Sequence, residues 1–310
     1  VGVVLTTWLA SWVGSRRVLQ VSPMQATGAA QEASREEAAG HRGRNALAIT
    51  LFAVGAALLV VGVIVGFINP AGVLIGLVGG VVSFTGLVLG AQLVMPPALR
   101  AVGRMLGSSP SARLAAENAV RYPERSSRTT IGLVIGVTLV TTFAVARGSF
   151  QRIIEDAQKA QPEVYEGTGQ MLIVVVTIFS VLIGFSALIA AVGMVNNLSL
   201  SVLQRTRELG LLRALGFTAR QLRSMVRAEA AQLTIAAILV GLVLGIGYGW
   251  AGAQSLLGAI NGSPGLVVPV VPLWLLAVVV VAAAVLTAVA SVAPTRRATR
   301  IAPVVALAVD

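Results

Sequence analysis

Six stretches of this chain run for about twenty residues with almost no charge, the length a helix needs to cross the hydrocarbon core of a bilayer. They are 46–67, 71–95, 130–147, 171–198, 230–251 and 273–292, and the apolar run 1–14 supplies the end of a seventh. Such segments must satisfy every backbone polar group internally. The expected class is therefore all-α, a polytopic helical membrane protein with about seven membrane spans. Composition agrees: 11% of the residues are charged, against roughly 25% in an average soluble domain. The chain opens at Val1 inside an apolar run whose basic residues, Arg16 and Arg17, follow rather than precede it. That order is wrong for a signal peptide, and the expectation is a piece of a longer protein whose first half is missing.

The arginines set the orientation. All 23 basic residues except Arg147, Arg152 and Lys159 fall in loops that alternate to one side of the spans. Those loops follow 1–14, lie between 71–95 and 130–147, lie between 171–198 and 230–251, and follow 273–292. By the positive-inside rule that side is cytoplasmic, and so is the C-terminus. The net charge of +11 is thereby explained by topology, and no nucleic-acid partner is expected. The absence of cysteine excludes disulfides and thiolate chemistry. His41 alone supplies too few ligands for a metal site.

An internal repeat organises the chain. WVGSRRVLQVSPMQA (12–26) and VAPTRRATRIAPVVA (292–306) align at one constant offset, pairing Arg16 and Arg17 with Arg296 and Arg297, Pro23 with Pro303, and Ala26 with Ala306. Each follows an apolar span directly, as in a duplicated transporter cut within its first copy. The expected organisation is the end of a last span at 1–14 and a cytoplasmic post-span motif and linker at 15–45. A two-span hairpin at 46–95 closes at Asn69-Pro70, a cytoplasmic interfacial segment covers 96–129, and a four-span unit fills 130–310.

Within that unit, the loop 203–228 carries six arginines among leucines. On a helix, Leu209, Leu211, Leu212 and Leu215 fall in an arc of roughly 160°, with Arg207, Gly210, Arg213 and Ala214 opposite. Arg205 and Glu208 can pair at i,i+3. Gly216 is a natural helix stop, and Thr218 with Gln221 fits a capping box opening a second short helix. In that helix Arg220, Arg223 and Arg227 line one face, with Leu222, Met225 and Val226 on the rest. Two readings stay open from spacing alone: an interfacial helix pair with leucines in lipid and arginines on headgroups, or an apolar knob with a charged rim that docks into a partner's groove.

The stretch VGMVNNLSLSVLQRTRELGLLRALGFTARQLRSMVRAEA (192–230) resembles the signature of the FtsX-like permease family, the membrane subunits of MacB- and lipoprotein-release-type ABC transporters. Asn197, Ser201, Val202, Arg205, Arg207, Glu208, the run Gly210–Gly216 and Glu229 match its pattern. Gln204 departs from it, where the family usually carries an acidic residue, so one charge pair with a partner is missing. TRRATRIAPVVAL and SRRVLQVSPMQA resemble the family's post-span motif, and NAVRYPERSSRTTIGLVIGV its lead into a first span. The resemblance covers about 115–310 as one four-span unit and 1–26 as the end of another, with 46–95 as the central hairpin of a ten-span member.

The resemblance implies the permease subunit of an ABC transporter in the plasma (inner) membrane, driven by a separate ATPase that holds ATP and magnesium. It further implies a dimer or pseudo-dimer, mechanical transmission through the spans, and a coupling helix at 203–228. The ATPase contacts it implies are Arg205, Arg207, Glu208, Leu211, Leu212, Arg213 and Leu215. Its alternatives are a non-transporting regulator of an extracellular hydrolase, a membrane scaffold and a secondary transporter. No span carries a midplane charge, which leaves an ion-coupled carrier without its usual residues. A phosphate-binding loop needs a lysine that this chain lacks, since its one lysine, Lys159, sits in RIIEDAQKAQPE. The chain is therefore expected to bind no cofactor itself and to be no enzyme.

Two further patterns carry expectations. Gly241, Gly245 and Gly249 share one helix face, as do Gly76 with Gly80 and Gly132 with Gly136, suiting close helix packing or the ordinary enrichment of glycine in spans. The charges Arg152, Glu155, Asp156, Lys159, Glu163 and Glu166 read as a solvated helix extension rather than acid–base machinery. The family places a folded domain where this chain has only 148–170.

Overall fold

Chains without water around them must close their backbone hydrogen bonds locally, and the apolar runs do so as helices. The computed structural model describes Trp8 and residues 42–105, 123–167, 169–204, 216–260, 263, 265–279, 281 and 285. Two units separate, Val1–Ala33 and Ser34–Asp310; in the first only Trp8 is described, helical and exposed. The second contains α1 (Arg42–Gly66), α2 (Gly72–Leu89), α3 (Ala91–Met105), α4 (Pro123–Ala160), a 3-10 turn (Pro162–Tyr165), α5 (Gly169–Gln204) and α6 (Ala219–Leu257). A last helix starts at residue 273. Five of the described helices are long and apolar enough to cross a membrane, on α1, α2, α4, α5 and α6. The protein is a multi-pass helical membrane protein.

The helices outrun the apolar stretches that announce them. α4 opens with Pro123, whose missing N–H costs nothing in a first turn. It passes straight through 148–160, expected to lie beyond the span. Phe150, Ile153 and Ala157 keep a helical spacing there and are buried, while Arg152 and Lys159 bracket Asp156 at 3.0 and 3.4 Å on the outer face. The helix ends where Gln161, forced out of helical geometry by Pro162, takes φ −140°. α6 likewise joins the expected short helix after Gly216 to the expected span in one 39-residue rod. The junction Ala228-Glu-Ala-Ala-Gln232 is built from strong helix formers and contains no breaker.

The opposite happens after α2. The apolar run expected to continue to residue 95 breaks at Gly90, where a side chain would press on Ala48 and the Gly86 carbonyl. α3 then turns in under the bundle. It belongs mostly to the segment expected to lie on lipid headgroups. Its Met95, Leu99 and Val102 instead fill the core with Leu87, Val134, Leu233, Ala236 and Ala237, because protein surface is at hand to bury them.

α1 and α2 form an antiparallel hairpin in which Gly55 faces the Gly79–Ser83 backbone, Gly62 faces Gly72 and Gly76, and Gly86 faces Phe52. α6 is the central helix. Its outer half meets the hairpin through Ser255, against Gly66 and Gly76, and through Tyr248, whose hydroxyl hydrogen-bonds Ser83 at 3.0 Å. α6 runs parallel to α4, and α5 runs antiparallel to α4, with Phe150 against Phe179. Ile49, Val60, Leu74 and Leu77 on the hairpin, and Ile173, Phe185 and Leu188 on α5, point outward and are exposed, as a lipid-facing surface requires.

Candidate functional site at the arginine-bearing end

The site is built on the first turns of α6. Gly216 takes φ +94°, a left-handed conformation open to glycine at little cost. Thr218 is the N-cap: its Oγ1 accepts the Gln221 N–H at 3.3 Å, and Gln221 Oε1 accepts the Thr218 N–H at 2.9 Å. Phe217, just before the cap, packs on Leu222 and Val226, a hydrophobic staple that fixes the angle at which the chain enters α6. Leu222, Met225 and Val226 are buried within the protein, whereas Arg220 and Arg227 are exposed on the other face.

One turn further, the charged and amide groups go inward. Glu229 is buried. Gln232, 1% exposed, donates from Nε2 to the Leu99 carbonyl at 2.8 Å and so ties α6 to α3. α3 is tied in turn to α1: Arg44 Nη2 donates to Gln92 Oε1 at 2.6 Å, and Gln92 Nε2 donates to Asn45 Oδ1 at 3.0 Å. These buried and half-buried polar contacts tie α3 to the start of α1 and to the first half of α6. Arg44, Arg100, Arg104, Arg220 and Arg227 share one end of the bundle, whereas Arg147, Arg152 and Lys159 lie on the far part of α4.

Of the residues singled out from sequence, Arg205, Arg207, Glu208, Leu211, Leu212, Arg213 and Leu215 lie outside the described residues. α5 leads to Gln204 just before them, and the capped start of α6 follows just after. Gly241, Gly245 and Gly249 all face α4. A Cβ at Gly241 would meet Val137, one at Gly245 would meet Thr141 and the Thr138 carbonyl, and one at Gly249 would meet the Thr142 carbonyl. Gly76 meets Ser255, but Gly80 touches only the tip of Leu59. Sequence reasoning overlooked the Gln232–Leu99 tie, although a lone amide early in an apolar span signals a needed partner. Among the described residues no cluster of His, Asp or Glu could hold a metal ion. Asp156 is taken up by its two ion pairs.

Comparison with known proteins points to transporter membrane subunits. The FtsX-like permease C-terminal family matches residues 167–303. The chain is 36% identical over 105 residues to an uncharacterized ABC transporter permease, YknZ, of Bacillus subtilis (strain 168), covering 34% of this chain and 25% of that protein. It is 34% identical over 93 residues to an uncharacterized ABC transporter permease, MJ1507, of Methanocaldococcus jannaschii, covering 30% of this chain and 23% of that one. The matched portion is thus about a quarter of either relative. No solved structure matches the chain.

Proposed function

We propose, from the match of residues 167–303 to the FtsX-like permease C-terminal family, that the chain is the membrane subunit of an ABC transporter, worked by a separate ATPase subunit seated on 203–228. In this reading the arginine-bearing end and the C-terminus face the cytoplasm, the membrane is the plasma membrane, and ATP and magnesium are held by the partner. Two such units, on two chains or within one longer chain, would face each other across the assembly.

The observation that carries the reading is the continuity of α6. At 1.5 Å per residue its 39 residues make a rod about 58 Å long. One end of the rod is fixed by the capping box and staple beside the matched loop, and its middle is seated on α4 through the glycine face. A displacement at 203–217 cannot be absorbed by a hinge within such a helix. It is passed to α3 through Gln232, to α4 through Gly241–Gly249, and to the hairpin through Tyr248 and Ser255.

The test is charge reversal at Arg207 and Arg213 together. The doubled variant is expected to insert normally but to lose co-purification with its nucleotide-binding subunit and stimulation of that subunit's ATPase. Unchanged binding and unchanged ATPase stimulation would remove the seat from 203–228.

A further inference from the structure

At the end of the bundle opposite the arginine-bearing one, residues 265–272 form neither helix nor strand. Backbone of that kind survives at a membrane boundary only where its polar groups are bonded, and α6 and α4 supply the bonds. Gln254, 1% exposed, donates from Nε2 to the Gly265 carbonyl at 2.8 Å and accepts the Val267 N–H at 3.2 Å. Trp250 Nε1 donates to the Val267 carbonyl at 2.5 Å, and Ser149 Oγ accepts the Val270 N–H at 3.3 Å. Gly148 lets Val270 approach α4 so closely that a Cβ there would sit 3.1 Å from it. The segment is a fixed wall rather than a loose loop.

Between this wall and α4 lies a cavity of about 710 Å³, within the size range of small-ligand sites. Its two sides differ in kind. The α4 side presents Arg147, Arg152, Glu155 and Asp156, and the other side presents Val270, Pro272 and Trp274. Arg152 gives its Nε–H to Asp156 at 3.0 Å and keeps its two terminal nitrogens. Arg147 spends one N–H on Ser180, at 3.2 Å, and keeps its other donors. Glu155 makes no ion pair among the described residues, while its neighbour Asp156 is doubly paired.

The depth of the cavity is set by its neighbours. The α1–α2 turn abuts the last turns of α6, with Gly66 against Ser255 and Gly258. Phe150 and Ile153 of α4 pack on Ala253 and Leu257 at the same level. The charged wall therefore lies level with the α1–α2 turn, the end of the hairpin's two apolar helices. Leu266, Val268 and Leu273 beside it are 69%, 80% and 83% exposed, apolar side chains suited to the boundary between headgroups and acyl chains. A free anion would gain from a lining of one sign. This lining holds both signs beside an apolar wall that opens at bilayer level.

We propose that this cleft binds one zwitterionic glycerophospholipid of the adjacent leaflet. Its phosphate rests on Arg147 and Arg152, its primary ammonium on Glu155, and an acyl chain lies along Val270, Pro272 and Trp274. The guanidiniums meet the phosphate with charge-assisted hydrogen bonds, and the ammonium supplies donors that a quaternary choline lacks. The ATPase reading is not needed for this site, since the lipid binds without nucleotide.

The experiment places the full chain in phosphatidylcholine nanodiscs with rising mole fractions of chain-dibrominated phosphatidylethanolamine, phosphatidylglycerol or phosphatidylcholine. The readout is the tryptophan quenching lost in a Trp274→Phe control. Brominated phosphatidylethanolamine is expected to half-saturate at about a tenfold lower mole fraction than the other two, the worth of one hydrogen bond to a charged group. Glu155→Gln, on an exposed face, should bring it level with phosphatidylcholine. Arg147→Gln should weaken phosphatidylethanolamine and phosphatidylglycerol alike. Equal quenching by all three lipids, or a phosphatidylethanolamine preference untouched by Glu155→Gln, would overturn the site.

Discussion

The two glycine-rich contacts of this molecule are built differently. In the α1–α2 hairpin, glycine faces the backbone of the opposing helix: a Cβ at Gly55 would collide with the Ser83 nitrogen, and one at Gly62 would lie 2.6 Å from the Gly76 nitrogen. Both helices have given up side chains, and the main chains touch. In the α4–α6 pair the glycines that meet α4 side chains are Gly241, Gly245 and Gly249 of α6. Their holes are filled by Val137, Thr141 and Val145 of α4, together with some backbone. The first contact has one arrangement, because a backbone cannot step aside. The second is knobs in holes, and its knobs have rotamers. A stiff hairpin beside a more adjustable α4–α6 seam suits the function proposed above, in which the central rod passes movement on.

Single methyl groups test that contrast. Gly55→Ala should have the largest effect, because its new atom meets backbone on all three nearest contacts. The hairpin would have to separate, and a loss above the roughly 1–3 kcal/mol of ordinary overpacking is expected. The measurement is the unfolding midpoint in detergent. Gly245→Ala should come next, within that range, since Thr141 can shift but the Thr138 carbonyl at 2.8 Å cannot. If Gly245→Ala proved the more damaging, the α4–α6 seam would be the rigid contact and the comparison would be inverted.

The glycines also show how far the sequence could be read. Helical class, the capping box at Thr218 and Gln221, and the turn at Gly216 are local, carried by a few neighbouring residues, and were legible. Gly241, Gly245 and Gly249 could be placed on one face, but what they face is a tertiary fact, as is the difference between packed Gly76 and nearly free Gly80. The hairpin glycines, 55, 62 and 66 on α1 and 72, 79 and 86 on α2, repeat at four and seven residues and could have been found by the same rule. Helix ends were the least legible, because apolar length marks the membrane and not the helix. Phe150, Ile153 and Ala157 carry α4 onward under ion pairs that a span search discards. The residues matched to a coupling helix, Arg205 to Leu215, lie outside the described residues, so their geometry stays an expectation.

Thr138 and Thr141 sharpen the description of the adjustable seam. Both are buried on α4, and the hydroxyl oxygen of each has no hydrogen-bond partner among the described residues. A buried idle hydroxyl is costly, and an isosteric apolar group removes the cost. Thr141→Val should therefore raise stability by about 1 kcal/mol, read as a higher unfolding midpoint. A lower midpoint would mean that the hydroxyl has a bond in the resting protein. A raised midpoint with weakened ATPase stimulation would mean that it finds one in another state of the seam.

The smallest effect belongs to Gly247, which sits on α6 between two packed glycines. Nothing described lies within 4 Å of a Cβ placed there, so the new methyl would point away from α4. Alanine is also the better helix former by roughly 0.8–1.0 kcal/mol in water, with less at stake where lipid already favours the helix. Gly247→Ala should leave the midpoint unchanged or slightly raised. Because Gly245→Ala and Gly247→Ala differ only by two positions along one rod, any loss confined to the first comes from the α4 contact and not from helix propensity. A comparable loss at Gly247 would place a further surface against that face of α6, and the knobs-in-holes account of the seam would have to include it.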